Sequence, residues 1–131
     1  MIVVDTSVWV DYFNGEANPH TNLLDNLLVH ERVVIGDIIL TEVLQGFRRD
    51  ADFRKAHELM DTLEFREMLG KEVALRSAQN YRKLRRAGVT VRKTIDVMIA
   101  TFCIIHGHRL LHDDRDFGVM EKHLGLKVLK P

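Results

Sequence analysis

The chain has 131 residues, of which 46% are hydrophobic and 29% are charged, and it carries equal numbers of acidic and basic side chains. This length fits one domain over residues 1–131, the composition excludes disordered and collagen-like classes, and the lone cysteine excludes an internal disulfide. The longest apolar stretch, Val97 to Ile105, is far below the roughly 20 residues that span a bilayer, so we expect no membrane contact and a cytoplasmic protein.

The first half of the chain predicts two buried strands among helices. Met1–Val4 and Val33–Ile35 are short runs rich in β-branched residues, which favour strands that are buried on both faces. A weaker third strand is predicted near the middle of the chain, over Phe65–Leu69. Helical spacing or starting signals predict helices over Thr6–Phe13, Ile38–Arg49 and Phe53–Leu63.

The second half predicts three further helices and two further strands. Lys71–Ala87 is amphipathic and ends before Gly88, and Thr94 is the expected N-cap of a nearly all-apolar helix that runs to His106. The remaining predicted elements are a strand over Arg109–Leu111, a helix over Asp113–His123 and a last strand over Leu126–Leu129. The alternation of strands and helices predicts an α/β fold with a largely parallel sheet.

Charge is distributed unevenly along the chain. Residues 1–65 contain 5 lysines and arginines against 12 aspartates and glutamates, whereas residues 66–131 contain 14 against 7. This asymmetry indicates either a polyanionic partner or ordinary solvated helix faces. Half of the positions from 82 to 93 are basic: Arg82, Lys83, Arg85, Arg86, Arg92 and Lys93.

Acidic residues follow two of the predicted strands. Asp5 comes after the first strand, and Asp114 and Asp116 come after the strand at Arg109–Leu111. Ligands of parallel sheets collect at the carboxyl ends of the strands, so these acids are expected to meet there, with Glu42 and Asp96 nearby. Carboxylates that converge repel one another unless a cation is present, and oxygen ligands suit Mg²⁺ or Mn²⁺.

Each of these acids also has a structural explanation. Asp5 and Asp114 can cap the helices that follow them, and Asp96 lies near a helix N-terminus, where a negative charge is favourable. Glu42 fits the exposed face of an amphipathic helix.

Four segments resemble the motifs of PIN-domain ribonucleases and, within them, of VapC-type toxins from prokaryotic toxin–antitoxin pairs. In chain order they are VVDTSVWVDYF (residues 3–13), LTEVLQG (40–46), TIDVMIATFCIIHG (94–107) and LLHDDRDFGVM (110–120). The resemblance implies a three-layer α/β/α sandwich with a mainly parallel central sheet. It also implies an acidic quartet of Asp5, Glu42, Asp96 and Asp114, with Asp116 as a further contributor.

The resemblance extends to ligands and partners. It implies Mg²⁺ or Mn²⁺ as cofactor, structured RNA such as transfer or ribosomal RNA as substrate, a cognate VapB-type antitoxin and a homodimer. We expect Asp5, Asp96, Asp114 and Asp116 to hold metal, Glu42 to orient or deprotonate the attacking water, and the basic segment to contact RNA.

One position departs from the family pattern. His112 stands where the fourth motif often has Thr or Ser, which leaves open whether it contacts a phosphate, contacts an acid or fills space. Thr6 and Ser7 are candidates to donate hydrogen bonds within the site or to cap a helix.

The sequence leaves three alternatives open. A phosphoacceptor receiver-like domain shares the size and the acidic pocket. Such a domain normally has paired acids after its first strand and a lysine after its last strand. Here Thr6 and Ser7 follow Asp5, and Lys130 lies almost at the chain end. A non-catalytic module that docks a basic partner is consistent with the charge asymmetry. A zinc site at His106, His108 and His112 has no common ligand spacing.

Overall fold

A computed structural model describes all residues 1–131 and has four strands and seven helices. The strands are β1 (Ile2–Val4), β2 (Val33–Gly36), β3 (Glu64–Arg66) and β4 (Arg109–Leu111). The helices are α1 (Thr6–Phe13), α2 (Pro19–His30), α3 (Asp37–Gln45), α4 (Asp50–Asp61), α5 (Lys71–Arg86), α6 (Thr94–His106) and α7 (Arg115–Leu124). None of these helices is both long and apolar enough to cross a membrane.

The strands form one parallel sheet in the order β3-β2-β1-β4. Val3 pairs with Val34 on one side and with Leu110 on the other, so β1 lies between β2 and β4. Every residue of β1 and β2 is buried, as expected for strands covered on both faces. The predicted α/β class with a parallel sheet is therefore confirmed.

The helices form two groups that cover opposite faces of the sheet. The chain moves from β1 through β2 to β3 in one direction and then crosses back to β4, so right-handed crossovers place α1–α4 on one face and α5 and α6 on the other. The packing agrees, because α1 packs against α2 and α3 whereas α6 packs against α5 and α7. The result is the predicted three-layer sandwich.

The reversal of direction marks the place for a ligand. Connections leave β1 and β4 toward opposite faces, so their carboxyl ends form the topological switch point of the sheet. The Asp5 N–H donates to the Leu111 carbonyl at 2.9 Å, which joins the ends of the two strands. Residues that follow β1 and β4 therefore lie side by side.

One helix was missing from the sequence prediction. In α2, the Asn18 side chain accepts from the Thr21 N–H, the Thr21 hydroxyl accepts from the Asn18 N–H, and Pro19 occupies the first turn. This capping box, followed by buried Leu24 and Leu27, is a helix-start signal that the sequence contains at Asn18–Thr21.

Three further predictions need correction. Leu126–Leu129 is not a strand, since the tail has only one isolated bridge, between Leu110 and Val128. The third strand lies at Glu64–Arg66 rather than at 65–69, because its register is set by pairing with β2. Thr94 is the first residue of α6 and does not cap it, since the N-cap position belongs to Lys93 and no side chain caps there.

Candidate active site

Asp5 is both a helix cap and a member of the acidic site. It is 5% exposed, and its Oδ2 accepts from the Ser7 N–H at 3.1 Å and from the Ser7 hydroxyl at 2.7 Å. Burial raises the pKa of Asp5, and the bonds from Ser7 oppose that rise. Because Asp114 also raises this pKa, the two carboxylates are close enough to repel.

Ser7 joins the loops that follow β1 and β4. Its hydroxyl donates to Asp5 and accepts from the Asp113 N–H at 3.1 Å. The predicted hydrogen-bonding role of Ser7 within the site is therefore seen in the structure, and one hydroxyl orients groups that are far apart in sequence.

Asp96 is a buried carboxylate with an unmet acceptor. It lies in the first turn of α6, is 6% exposed, and its Oδ2 has no hydrogen-bond partner. Burial raises its pKa to about 7, and Asp5, Asp114 and Glu42 add to the rise while Lys93 opposes it. A divalent cation would satisfy this oxygen and relieve the repulsion.

Asp114 and Asp116 complete a compact group with Asp96. Asp114 caps α7, where its Oδ1 accepts from the Asp116 N–H at 2.9 Å. One carboxylate oxygen from each of Asp96, Asp114 and Asp116 lies within 4.8 Å of the other two. No other group of three or more His, Cys, Asp and Glu residues places its ligand atoms this close together. Asp5 borders this trio without being part of it.

Glu42 reaches the site from the opposite helical layer. It lies in α3, half-buried, and its Oε1 accepts from the Thr6 hydroxyl at 2.9 Å. Glu42 also raises the pKa of Asp96, so it belongs to the same electrostatic cluster. The hydroxyl of Thr6, the first residue of α1, thus orients the acid of the second motif.

His112 contacts the backbone of Asp114 and packs against α7. Its Nδ1 accepts from the Asp114 N–H at 3.2 Å, and its ring packs against Phe117 with 5.1 Å between ring centroids. Burial lowers its pKa, so the ring is neutral near pH 7 and carries its proton on Nε2, a buried atom with no partner. Of the roles left open for His112, the structure shows packing against Phe117, together with a bond from the backbone N–H of Asp114 rather than a contact with a carboxylate.

The basic segment is exposed and reaches the rim of the site. Arg92 donates to both carboxylate oxygens of Asp116 at 3.3 Å. Arg85 lies over the Tyr81 ring at 5.2 Å from its centroid. All six basic side chains singled out in the sequence are exposed: Arg82, Lys83, Arg85, Arg86, Arg92 and Lys93.

The zinc hypothesis is wrong on geometry. His106 and His108 flank the amino end of β4, where their rings stack with centroids 5.9 Å apart, whereas His112 follows the carboxyl end. The strand between them keeps the three rings from sharing an ion. Lys130, the lysine that a receiver-like domain would need, instead pairs with Glu121 at 3.2 Å.

Comparison with known proteins identifies relatives of this chain. The family model of the PIN domain matches residues 2–122. Ribonuclease VapC11 of Mycobacterium tuberculosis is 34% identical over 139 aligned positions, which cover 98% of this chain and 97% of that protein.

Solved structures show the same fold at lower identity. VapBC2 from Rickettsia felis, bound to a DNA fragment from its promoter, has a chain that is 17% identical with a TM-score of 0.78, and 98% of each chain is covered. VapC20 of Mycobacterium tuberculosis, described as a sarcin-ricin loop cleaving toxin, is 17% identical with a TM-score of 0.68 over 100% of both chains.

Proposed function

The chain belongs to the PIN-domain family, and we propose that it is a divalent-metal-dependent endoribonuclease, the toxin of a VapBC-type toxin–antitoxin pair. Membership of the PIN-domain family argues against the receiver-like alternative. The observation that carries the metal-dependent chemistry is the convergence of Asp96, Asp114 and Asp116, beside Asp5, at the switch point of the sheet.

The donor set fits Mg²⁺ or Mn²⁺. All of the converging ligand atoms are carboxylate oxygens, which these hard cations prefer, and the buried Oδ2 of Asp96 lacks any other partner. We assign metal binding to Asp5, Asp96, Asp114 and Asp116. When bound, the ion supplies positive charge to the reacting phosphate and lowers the pKa of the attacking water.

The residues of the chain divide the remaining work. Glu42, held by the Thr6 hydroxyl, orients the attacking water or removes its proton. The water oxygen forms a bond to phosphorus as the bond to the 3′-oxygen breaks, and a proton passes to that leaving oxygen. The products are a 5′-phosphate and a 3′-hydroxyl. Ser7 and His112 hold Asp5 and Asp114 in position.

The substrate in this proposal is a structured RNA such as transfer or ribosomal RNA. The exposed basic segment supports it, because cationic side chains beside a carboxylate site neutralise the backbone of a polyanion. One structural relative is described as a toxin that cleaves the sarcin-ricin loop. We place phosphate contacts at Arg82, Lys83, Arg85, Arg86, Arg92 and Lys93.

The proposed partners are a VapB-type antitoxin and a second copy of the chain, in the cytoplasm. The antitoxin is supported by the structural relatives that were solved as VapBC complexes. The homodimer rests on the resemblance to the toxin family.

Expression in a bacterial host tests the proposal. We expect the wild-type chain to arrest growth, and the Asp5→Asn variant, produced at the same level, to permit growth because it loses a carboxylate of the site. Asp52→Asn, which neutralises an exposed acid of α4, is the matched control and should remain toxic. Growth arrest by Asp5→Asn equal to wild type would contradict the assignment.

The non-catalytic binding module gives a different result in a metal titration. Its acids serve only as a docking surface, so Mg²⁺ or Mn²⁺ should leave the melting temperature of the chain almost unchanged. A metal-bound native state should instead melt at a higher temperature as metal is added.

A further inference from the structure

A cleft of about 240 Å³ adjoins the acidic site and shares Asp114 with it. Its walls come from four parts of the chain: His20 of α2, the loop after β4, Arg115 at the start of α7, and the tail that ends at Lys130 and Pro131. The proposed mechanism uses none of His20, Arg115 and Lys130, although Arg115 lies within the fourth motif segment, residues 110–120.

The tail is fixed in place to form one wall of this cleft. The Leu110 N–H donates to the Lys127 carbonyl and the Leu129 N–H donates to the Leu110 carbonyl, both at 2.9 Å. These two bonds hold the tail beside the end of β4. The segment therefore has a defined position although it forms no regular strand.

Two cations, Arg115 and Lys130, line the cleft together with the carboxylates of Asp113 and Asp114. Arg115 is exposed with no ion-pair partner, and Lys130 is 70% exposed while its ammonium group forms an ion pair with Glu121 at 3.2 Å. The His20 Nδ1 lies 3.9 Å from the Asp113 carboxylate. His112 also lines the cleft, although its Nε2 is buried and has no partner.

The carboxylates of the acidic site repel the phosphates of an RNA substrate, and nearby cations can offset this repulsion. An RNA strand must bring its phosphates next to several carboxylates, so it needs positive charge on both sides of the cleaved bond. Arg92 and Lys93 supply this charge beside Asp116 and Asp96. Arg115 and Lys130 are the cations beside Asp114, at a cleft whose volume is of the order of part of one nucleotide.

We propose that this cleft is a subsite for one nucleotide of the substrate, next to the cleaved bond, with Arg115 and Lys130 contacting its phosphate. The inference rests on the proposed ribonuclease function and adds to it a strand path: the RNA enters past Arg92 and leaves past Arg115, or the reverse.

Steady-state cleavage of a short RNA by the full chain tests the subsite. We expect Arg115→Gln and Lys130→Gln each to raise KM about 3- to 10-fold at low salt and to lower the salt dependence of binding by about one phosphate contact, with kcat nearly unchanged. Lys122→Gln and Lys127→Gln neutralise exposed lysines nearby that do not line the cleft, and they should behave as wild type.

A series of shortened substrates locates the contact. Removing nucleotides from one side of the cleaved bond should abolish the KM difference between Lys130→Gln and wild type, whereas removing them from the other side should preserve it. The subsite is overturned if Arg115→Gln and Lys130→Gln match the two control variants, or if their effect survives shortening from either side. If the wild-type chain cleaves no RNA, it is the proposed function that fails.

Discussion

Asp96 combines a buried carboxylate, an oxygen without a partner and three acidic neighbours. Because its pKa is raised, Asp96 keeps a proton in the folded chain at pH values between 3.8 and about 7, where the unfolded chain has released it. In this window the free energy of unfolding falls as pH rises, and the full loss is present above it. Asp5 contributes in the same direction. His108 and His112, whose pKa values are lowered, contribute in the opposite direction.

Replacing Asp96 with asparagine isolates this effect. Without metal at pH 8, we expect Asp96→Asn to be more stable than wild type by about 1–3 kcal/mol, because one repelling charge is gone. At pH 5 the difference should shrink, since Asp96 is then protonated in the folded wild type. Urea unfolding at the two pH values measures both quantities, with Asp52→Asn as the exposed control. An Asp96→Asn variant that is less stable than wild type at pH 8 would contradict the repulsion.

Thr6 is expected to act through Glu42. Thr6→Val keeps the shape of the side chain and removes the donor to Glu42 Oε1, so kcat should fall about tenfold, in line with roughly 1.4 kcal/mol for a hydrogen bond to a charged group. Thr6→Ser should restore most of the rate because it keeps the hydroxyl.

A matched hydroxyl lies in the same helix as Glu42. Thr41 is exposed, and its hydroxyl donates to the Asp37 carbonyl at 2.9 Å. Thr41→Val should therefore leave kcat unchanged. Equal rates for Thr6→Val and wild type would show that Glu42 does not depend on this bond.

At the scale of elements, the site depends on tight junctions between strands and helices. Gly36 ends β2 and begins the turn into α3, where Met68 packs directly over its Cα. Met68 is fully buried, and its N–H donates to Asp37 Oδ1 at 2.9 Å. This junction fixes the start of the helix that presents Glu42.

A pair of glycine substitutions tests the junction. A methyl group at Gly36 would overlap the Met68 side chain, so Gly36→Ala should lower the free energy of unfolding by about 1–3 kcal/mol. Gly118 lies inside α7 with open space at its Cβ position, so Gly118→Ala should raise stability by about 0.5–1 kcal/mol. Denaturant titrations of both variants measure the two signs. A stable Gly36→Ala would show that Met68 repacks freely.

Local patterns in the sequence predicted most elements for physical reasons. The β-branched runs of β1 and β2 are buried on both faces, and the polar face of α5 is exposed, so each leaves a clear hydrophobic pattern. The prediction for the tail was wrong, because Leu126 and Val128 alternate as in a strand while the tail forms a single bridge, between Val128 and Leu110. Whether the tail forms a strand depends on its hydrogen bonds to β4, and a local sequence pattern carries no information about bonds to a distant segment.

At the scale of the whole molecule, the site joins the two oppositely charged halves of the chain. Asp5 and Glu42 come from the acidic half, whereas Asp96, Asp114 and Asp116 come from the basic half, where Arg92 pairs with Asp116. The parallel sheet allowed the sequence to predict that acids following β1 and β4 would meet. It did not predict the strand order, the Arg92 pair or the cleft at Arg115, because these depend on contacts between distant segments.

The most direct test is the rate of RNA cleavage by the purified chain during titration of the metal-free protein with Mn²⁺ or Mg²⁺. We predict no cleavage in EDTA, a saturable rise for wild type as the metal is added, and background rates for Asp114→Asn at every metal concentration. Cleavage in EDTA at the metal-saturated rate, or a wild-type rate for Asp114→Asn, would contradict the carboxylate metal site.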